Sequence, residues 1–104
     1  QLIIGQKVSK IDDITQKLVD QKVTLLCDSK VVEEGCGSNV LDGPISALKH
    51  LFDGISEEPF EVPLKAGDIV TTGTLTDAKP LKVGETWSSN YSGIINSSLS
   101  IEIN

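Results

Sequence analysis

Apolar and polar residues alternate most regularly near the C-terminal end of the chain. Between Ser97 and Ile103, the residues Leu99, Ile101 and Ile103 are separated by single polar residues. A period of two residues is typical of a β-strand with one buried face and one exposed face. The sequence therefore predicts a half-buried strand over this stretch.

Three further runs rich in β-branched or aromatic residues predict strands upstream. Lys22–Cys27 and Val31–Gly35 flank a short turn, which predicts a hairpin, and Trp87–Tyr91 predicts a third strand. In this hairpin Cys27 lies near the tip, whereas Cys36 lies beyond the far end. We therefore expect two free thiols rather than a disulfide.

An apolar stripe at helical spacing predicts one helix over residues 43–55. The stripe contains Ile45, Leu48, Phe52 and Ile55, with Leu51 beside it. Pro44 fits the first turn of this helix, and Asp42 can cap it. His50 is the only histidine and lies away from the stripe. We interpret it as a solvated helix residue, because no metal-binding partner lies at ligand spacing from it.

The remaining segments carry weaker patterns. Leu2–Gly5 predicts a short buried strand, and Gln6–Asp20 predicts a loop with about one helical turn. We interpret the acidic stretch Glu57–Pro63 as a solvated connection rather than as paired catalytic carboxylates. The sum is a single α+β domain over residues 1–104, mainly antiparallel β, with six or so short strands and one packed helix.

The stretch Pro63–Trp87 predicts a turn, a strand, a loop, a second turn and another strand. Lys65–Asp68 and Lys82–Glu85 have the residue types of tight turns, and the β-branched run Ile69–Thr72 predicts the strand between them. The loop that follows this strand is the only part of the sequence that looks built to hold a ligand.

The chemistry of this loop comes from Thr72, Gly73 and Thr74. A glycine at a strand end lets backbone N–H groups face outward, and the two hydroxyls beside it can donate to an anion such as a carboxylate or an enolate. Alternatively, Gly73 only turns the chain and the threonines only favour β structure, and local sequence alone favours this plainer interpretation. The loop does not have the pattern of a phosphate-binding P-loop.

Composition excludes several other functions. The formal net charge of −6 argues against binding to nucleic acid or to an anionic membrane. No apolar run approaches the ~20 residues that span a bilayer, and no signal peptide is evident. Two cysteines without such a signal indicate reduced thiols, so we expect a cytoplasmic protein. The absence of methionine and the start at Gln1 lead us to expect a piece of a longer protein.

Three segments, in order, resemble the 2-keto-4-pentenoate hydratase group of the fumarylacetoacetate hydrolase superfamily. This group includes 2-oxohept-3-enedioate hydratases and 4-oxalocrotonate decarboxylases. The most specific segment is Pro63–Thr76, which is similar to the group's Pro-Leu-x-Ala-Gly-Asp, apolar strand and Thr/Ser-Gly-Ala/Thr-Leu pattern. The other two are Gly35–Leu51, with a Gly-x-Gly and Val-Leu pattern, and Val83–Ile103. The chain departs from the group at Asp42, Gly43, His50 and Asn96.

The resemblance implies a fold, a cofactor and a site. The fold would be the mixed β-roll or sandwich of the superfamily's C-terminal type. The cofactor would be Mg²⁺ or Mn²⁺, held by acidic residues that lie upstream in the family, so no metal ligand and no catalytic residue is expected in this chain. The positions that match the family's substrate-binding loop are Thr72, Gly73, Thr74 and Leu75.

The resemblance also implies a reaction. In the family the metal chelates a small 2-oxo acid, stabilises its dienolate, and water then adds, as in the meta-cleavage catabolism of aromatic compounds. Two alternatives use the same fold, namely 4-oxalocrotonate decarboxylation and acylpyruvate hydrolysis. A third is a stand-alone, metal-free binding or structural β-domain. We also expect homo-oligomerisation, or packing against a missing N-terminal half, because such a sheet would expose apolar edges.

Overall fold

The computed structural model describes residues 2–9, 11–57 and 64–104, and within these ranges it contains one four-stranded sheet and two α-helices. The strands are β1 (Lys22–Cys27), β2 (Lys30–Cys36), β3 (Thr86–Ser92) and β4 (Ser97–Glu102). The helices are α1 (Ile14–Val19) and α2 (Pro44–Glu57), and a 3₁₀ turn covers Gly37–Asn39. The strand order is β2-β1-β3-β4, and every neighbouring pair is antiparallel. The predicted mostly antiparallel sheet is confirmed.

The predicted hairpin is β1–β2, and its geometry separates the two cysteines. Asp28 and Ser29 form the turn with φ of 48° and 66°, the left-handed conformation of tight hairpin turns. Cys27 pairs in register with Lys30, whereas Cys36 pairs with Lys22 at the other end of the hairpin. Both thiols are free, as the sequence predicts.

The registers divide the sheet into an apolar face and a polar face. Paired residues share a face, so the pairing of Leu25 with Ser89, and of Ser89 with Leu99, puts both leucines on one side. The apolar face carries Val23, Leu25, Trp87, Leu99 and Ile101. The polar face carries Thr24, Ser88, Asn90, Ser98 and Ser100, so the alternation along β4 is confirmed.

A buried glutamine just before β1 forms hydrogen bonds with the backbone of the β3–β4 turn. Gln21 is only 4% exposed, and its amide nitrogen donates to the carbonyls of Lys22, Ser92 and Ile95 at 3.1, 2.9 and 3.2 Å. Its amide oxygen accepts the Ile95 N–H at 3.0 Å. Gly93 leaves room for this side chain, because a Cβ there would lie 2.9 Å from the Gln21 oxygen. One side chain thus satisfies several backbone groups of the turn.

The longer helix differs from its prediction in its start and in its packing. The Gly43 carbonyl accepts the Ala47 N–H at 3.0 Å, so Gly43 rather than Asp42 stands just before the first helical residue. Ala47 is buried, but Phe52 is 47% exposed. Among the described elements α2 packs chiefly against α1, so the expectation of a helix packed on the sheet is wrong. Helix α1 itself is the short helical turn expected within residues 6–20.

Two of the predicted strands do not form. Neither Leu2–Gly5 nor Ile69–Thr72 pairs with another strand in the ranges that the structure describes, which reduces six strands to four. Ile4 is 64% exposed and Ile69 is 63% exposed. β-Branched residues favour a strand only where a neighbouring strand supplies hydrogen bonds and packing, and here none does. The predicted acidic connection lies mostly outside the described residues, since 58–63 are not described. No helix in the described part of the chain has the length and apolar character to cross a membrane.

Candidate functional site

The loop Thr72–Leu75 lies on the segment that runs from the end of β2 through the 3₁₀ turn to Val40. Gly73 has a φ of +127°, which disfavours any residue with a side chain. A Cβ at this position would also lie 3.1 Å from Cγ1 of Val40, which is buried. Gly73 therefore does more than turn the chain, because it lets the loop backbone rest directly on the core.

The next residue to contact this segment is Leu75, through its backbone. The Asn39 side chain donates from Nδ2 to the Leu75 carbonyl at 2.9 Å. A Cβ on Gly35 would lie 2.1 Å from the same carbonyl oxygen, so only glycine permits this approach. The glycine at position 35 of the predicted hairpin thus makes space for the loop.

A third contact holds the chain just beyond the loop. The Glu33 carboxylate accepts the Asp77 N–H at Oε1, at 2.9 Å, and its other oxygen forms an ion pair with Lys79 Nζ. The hydrogen bond from Lys79, followed by the one from the Asp77 N–H, lowers the pKa of Glu33. The hydrogen bond to Glu33 raises the pKa of Lys79. Glu33 is therefore an ionised carboxylate whose charge is matched by a lysine.

Three backbone donors of the loop have no acceptor among the described residues. Within the ranges 2–9, 11–57 and 64–104, the backbone N–H groups of Thr72, Gly73 and Thr74 donate no hydrogen bond. Thr74 is exposed. A shallow polar depression of about 380 Å³ opens beside it. The depression is lined by Glu33, Asn39, Thr74, Leu75, Thr76 and Asp77. Free N–H groups beside a polar depression can bind an oxyanion or a carboxylate.

The structure thus brings together two of the four predicted site residues with residues that sequence reasoning missed. Thr74 and Leu75 line the depression, whereas Thr72 and Gly73 lie next to it along the chain. Glu33 and Asn39 gave no signal in the sequence, because a charged residue on an edge strand and an asparagine in a turn are both ordinary. Only the fold brings Glu33 and Asn39 next to Asp77 and Leu75, which lie far from them in the sequence.

A metal site does not form from the residues that the structure describes. In those ranges no three His, Cys, Asp or Glu side chains are close enough to one another to hold a metal ion. His50 is exposed on α2. The described residues therefore offer no set of ligands for the divalent metal that the resemblance implies.

Comparison with known proteins identifies relatives for most of the chain. The chain is 29% identical over 92 residues to 2-keto-4-pentenoate hydratases from Burkholderia vietnamiensis and Paraburkholderia phymatum, a match that covers 88% of the chain and 34% of each relative. It is 28% identical over 94 residues to a 4-oxalocrotonate decarboxylase from a Pseudomonas species, covering 90% of the chain and 34% of that enzyme. No family model matches the chain.

Solved structures give the same result. The 4-oxalocrotonate decarboxylase of Pseudomonas putida G7 aligns with a TM-score of 0.74 and 28% identity, over 85% of this chain and 32% of that one. It was solved complexed with calcium and acetate, and also with magnesium and adipate. The predicted resemblance is confirmed: the chain is a distant homologue of these hydratases and decarboxylases. It spans about a third of their length.

Proposed function

We propose that this chain supplies the substrate-carboxylate loop of a 2-oxo-acid lyase of the 2-keto-4-pentenoate hydratase type. The observation that carries the proposal is the loop Thr72–Leu75, whose N–H groups at Thr72, Gly73 and Thr74 donate no hydrogen bond within the described residues, in a chain homologous to hydratases and decarboxylases. The substrate would be a small 2-hydroxydienoate or 2-oxo-enoate, and the reaction would be the addition of water to its double bond.

The loop residues have distinct roles in this proposal. The N–H groups of Gly73 and Thr74, with the hydroxyl of Thr72 or Thr74, orient a carboxylate oxygen of the substrate. Leu75 covers the carbon chain and excludes water from it. Donors fixed before the substrate arrives do not have to reorganise during the reaction, which is the source of their catalytic effect. No step is assigned to a metal ion, because the described residues do not form a metal site.

Decarboxylation is the second candidate, and one observation favours it. Two solved structures similar to this chain are of a 4-oxalocrotonate decarboxylase, and a curated relative carries the same name. The loop described above can hold a carboxylate in either reaction. The groups that move protons would decide between them, and those groups are not among the described loop residues.

Assays of the native protein, as its gene encodes it, test the proposal. Its intact mass is measured first, and the protein is then assayed with Mg²⁺ and 2-hydroxypenta-2,4-dienoate by loss of the dienoate absorbance. Carbon dioxide release from 4-oxalocrotonate is measured in parallel. Hydration supports the proposal, whereas decarboxylation alone supports the second candidate. Activity in neither assay, with a native mass equal to 11.1 kDa, would favour the stand-alone binding domain.

A substitution in the loop tests the role of its hydroxyl. Thr74→Val keeps the shape of the side chain and removes the donor, so we expect kcat/KM to fall by about 100-fold, the usual effect of losing one oxyanion donor. Thr71→Val is the control, because Thr71 is an exposed neighbour that does not line the depression. An unchanged kcat/KM for Thr74→Val would remove its hydroxyl from the mechanism.

A further inference from the structure

We propose that Glu33 and Asn39 are positioning residues that hold the loop Thr72–Leu75 in its ligand-binding conformation. This inference rests on the proposed function, since it assigns a role to residues that serve the same loop. Both residues line the depression beside Thr74. Both act on the backbone next to it.

The two residues form hydrogen bonds with the chain at two successive points after Gly73. Asn39 fixes the Leu75 carbonyl at 2.9 Å, and Glu33 fixes the Asp77 N–H at 2.9 Å while it pairs with Lys79. Each contact crosses a long stretch of sequence, 36 residues for Asn39 to Leu75 and 44 for Glu33 to Asp77. The loop is therefore fixed immediately after its donors and again two residues later.

The anchors stand on regular structure, whereas the loop has none of its own. Glu33 lies in β2 and pairs in register with Leu25 of β1. Asn39 ends the 3₁₀ turn, which is closed by the Val40 N–H donating to the Gly37 carbonyl at 3.2 Å. Residues 68–74 adopt no regular structure. Ordering such a segment costs conformational entropy. Contacts that order it in advance would therefore strengthen ligand binding.

Two carboxylates, Glu33 and Asp77, line the depression, and Lys79 lies close enough to both for each to raise its pKa. Glu33 lines the same depression as Thr74, and an unmatched carboxylate there would repel the carboxylate of a 2-oxo acid. Lys79 removes this conflict, because it forms an ion pair with Glu33. Glu33 can thus position the loop without excluding the ligand. Replacing Lys79 with methionine would leave the carboxylate unmatched and should weaken anion binding.

Nuclear magnetic resonance of the native protein, as its gene encodes it and labelled with ¹⁵N, tests the inference in two stages. The first stage measures hydrogen exchange of the Asp77 amide without ligand. We expect Asn39→Ala and Glu33→Ala to speed this exchange by about 5- to 10-fold, the effect of losing one hydrogen bond. Glu33→Gln keeps an oxygen acceptor for the Asp77 N–H and should restore most of the protection. Amides of β1 should keep their wild-type rates.

The second stage measures binding of 2-oxopentanoate, an unreactive 2-oxo acid, from the amide shifts of Gly73 and Thr74. We expect Asn39→Ala and Glu33→Ala to weaken binding by about 5-fold or more, because one ordering contact is lost. Glu34→Gln and Asn90→Ala are the matched controls, since both residues are exposed and lie on the opposite face of the sheet from Glu33. Neither control should change exchange or binding.

The possible outcomes separate this inference from the proposed function. Unchanged exchange of Asp77 in both alanine variants would show that the anchors do not hold the loop. Faster exchange with unchanged affinity would show that they hold it without serving the ligand. If the wild-type chain gives no shift with 2-oxopentanoate, the substrate loop itself is wrong, and the anchors are then structural only. Faster exchange together with weaker binding, restored by Glu33→Gln, supports the positioning role.

Discussion

The sheet and the segment that carries the candidate site are both rich in β-favouring residues, yet they are held together in different ways. In the sheet, every strand pairs with a neighbour along its length, so each backbone contact is supported by the next. The segment 64–81 forms no ladder within the described residues, and the side chains of Asn39 and Glu33 hold its loop.

This difference predicts which region a single substitution will disturb most. In the sheet, the loss of one contact has a small effect because the neighbouring contacts of the ladder remain. A large loss of stability there requires a cavity or a buried unpaired group. Loss of one contact in the segment frees several residues at once. Regions that open at low cost are also those from which ligand-binding loops are drawn. The two regions should therefore respond differently to single substitutions.

The largest effect is expected at Trp87, in the sheet. Trp87 is 8% exposed on the apolar face, and its indole N–H donates to Glu85 at 2.8 Å. Trp87→Ala should lower the free energy of unfolding by about 3 kcal/mol, the low end for a tryptophan truncated in a core. Urea unfolding followed by far-ultraviolet circular dichroism measures this. Ser88→Ala, on the opposite face of β3, is the control, and an equal loss in both variants would contradict the assigned faces.

The next largest effect is expected at Gln21, where the sheet depends on one side chain. Gln21→Leu keeps the volume roughly constant but leaves the Ile95 N–H and the carbonyls of Ser92 and Ile95 without their partner. Buried groups left unpaired cost about 1–3 kcal/mol, so we expect a loss of about 2 kcal/mol in urea unfolding. Gln16→Leu, at an exposed position in α1, should have little effect.

Gln21 also shows how far the sequence can be interpreted. The strands of the sheet could be predicted because alternation along a strand is a local pattern. Each of these strands also pairs with a neighbouring strand in the structure. The strand predicted at Ile69–Thr72 was wrong for the opposite reason, since propensity without a partner does not make a ladder. The hydrogen bonds of Gln21 link residues 74 positions apart, and no local pattern encodes such a contact.

The candidate site was predictable to the same limited extent. Gly73 and Thr74 could be singled out, because glycine between two hydroxyl residues has a recognisable chemistry. Glu33 and Asn39 could not, since their function depends on a loop that approaches from far along the chain. The resemblance to a family pointed to the loop, but only the fold shows what holds it.

A smaller effect, confined to the second region, is expected at Gly35. A Cβ there would lie 2.1 Å from the Leu75 carbonyl oxygen, which belongs to backbone and cannot swing aside. Gly35→Ala should displace the loop, lower the free energy of unfolding by about 1 kcal/mol, and speed exchange at Asp77 more than in β3. The residue is in β2, so the ladder should persist.

Gly54→Ala is the matched control for this substitution. A Cβ on Gly54 meets nothing within 4 Å, and the residue lies in α2. Alanine should therefore raise the free energy of unfolding by roughly 0.5–1 kcal/mol, because it favours the helix over the unfolded chain. The same substitution thus has opposite signs at the two sites. Stabilisation by Gly35→Ala would contradict the close approach of the loop.

The smallest effect is the response of the segment to acid. The pKa of Glu33 is lowered by the hydrogen bond from Lys79 and then by the Asp77 N–H. A lowered pKa means that the contribution of Glu33 is fully present above its unfolded value of about 4.3 and is lost as pH falls through the lower folded value. The amide shift of Asp77 should therefore stay constant near neutral pH and move towards a free-loop value only at pH values below the ordinary titration range of a glutamate.

Glu33→Gln separates this titration from others nearby. Any low-pH shift of the Asp77 amide that persists in this variant does not come from Glu33, and only the part that disappears is assigned to it. Amides of β1 should stay unchanged over the same pH range, because the ladder contacts do not depend on Glu33. If the amides of β1 and Asp77 moved together, acid would be unfolding the whole chain, and the segment would not be the separately held region that its contacts indicate.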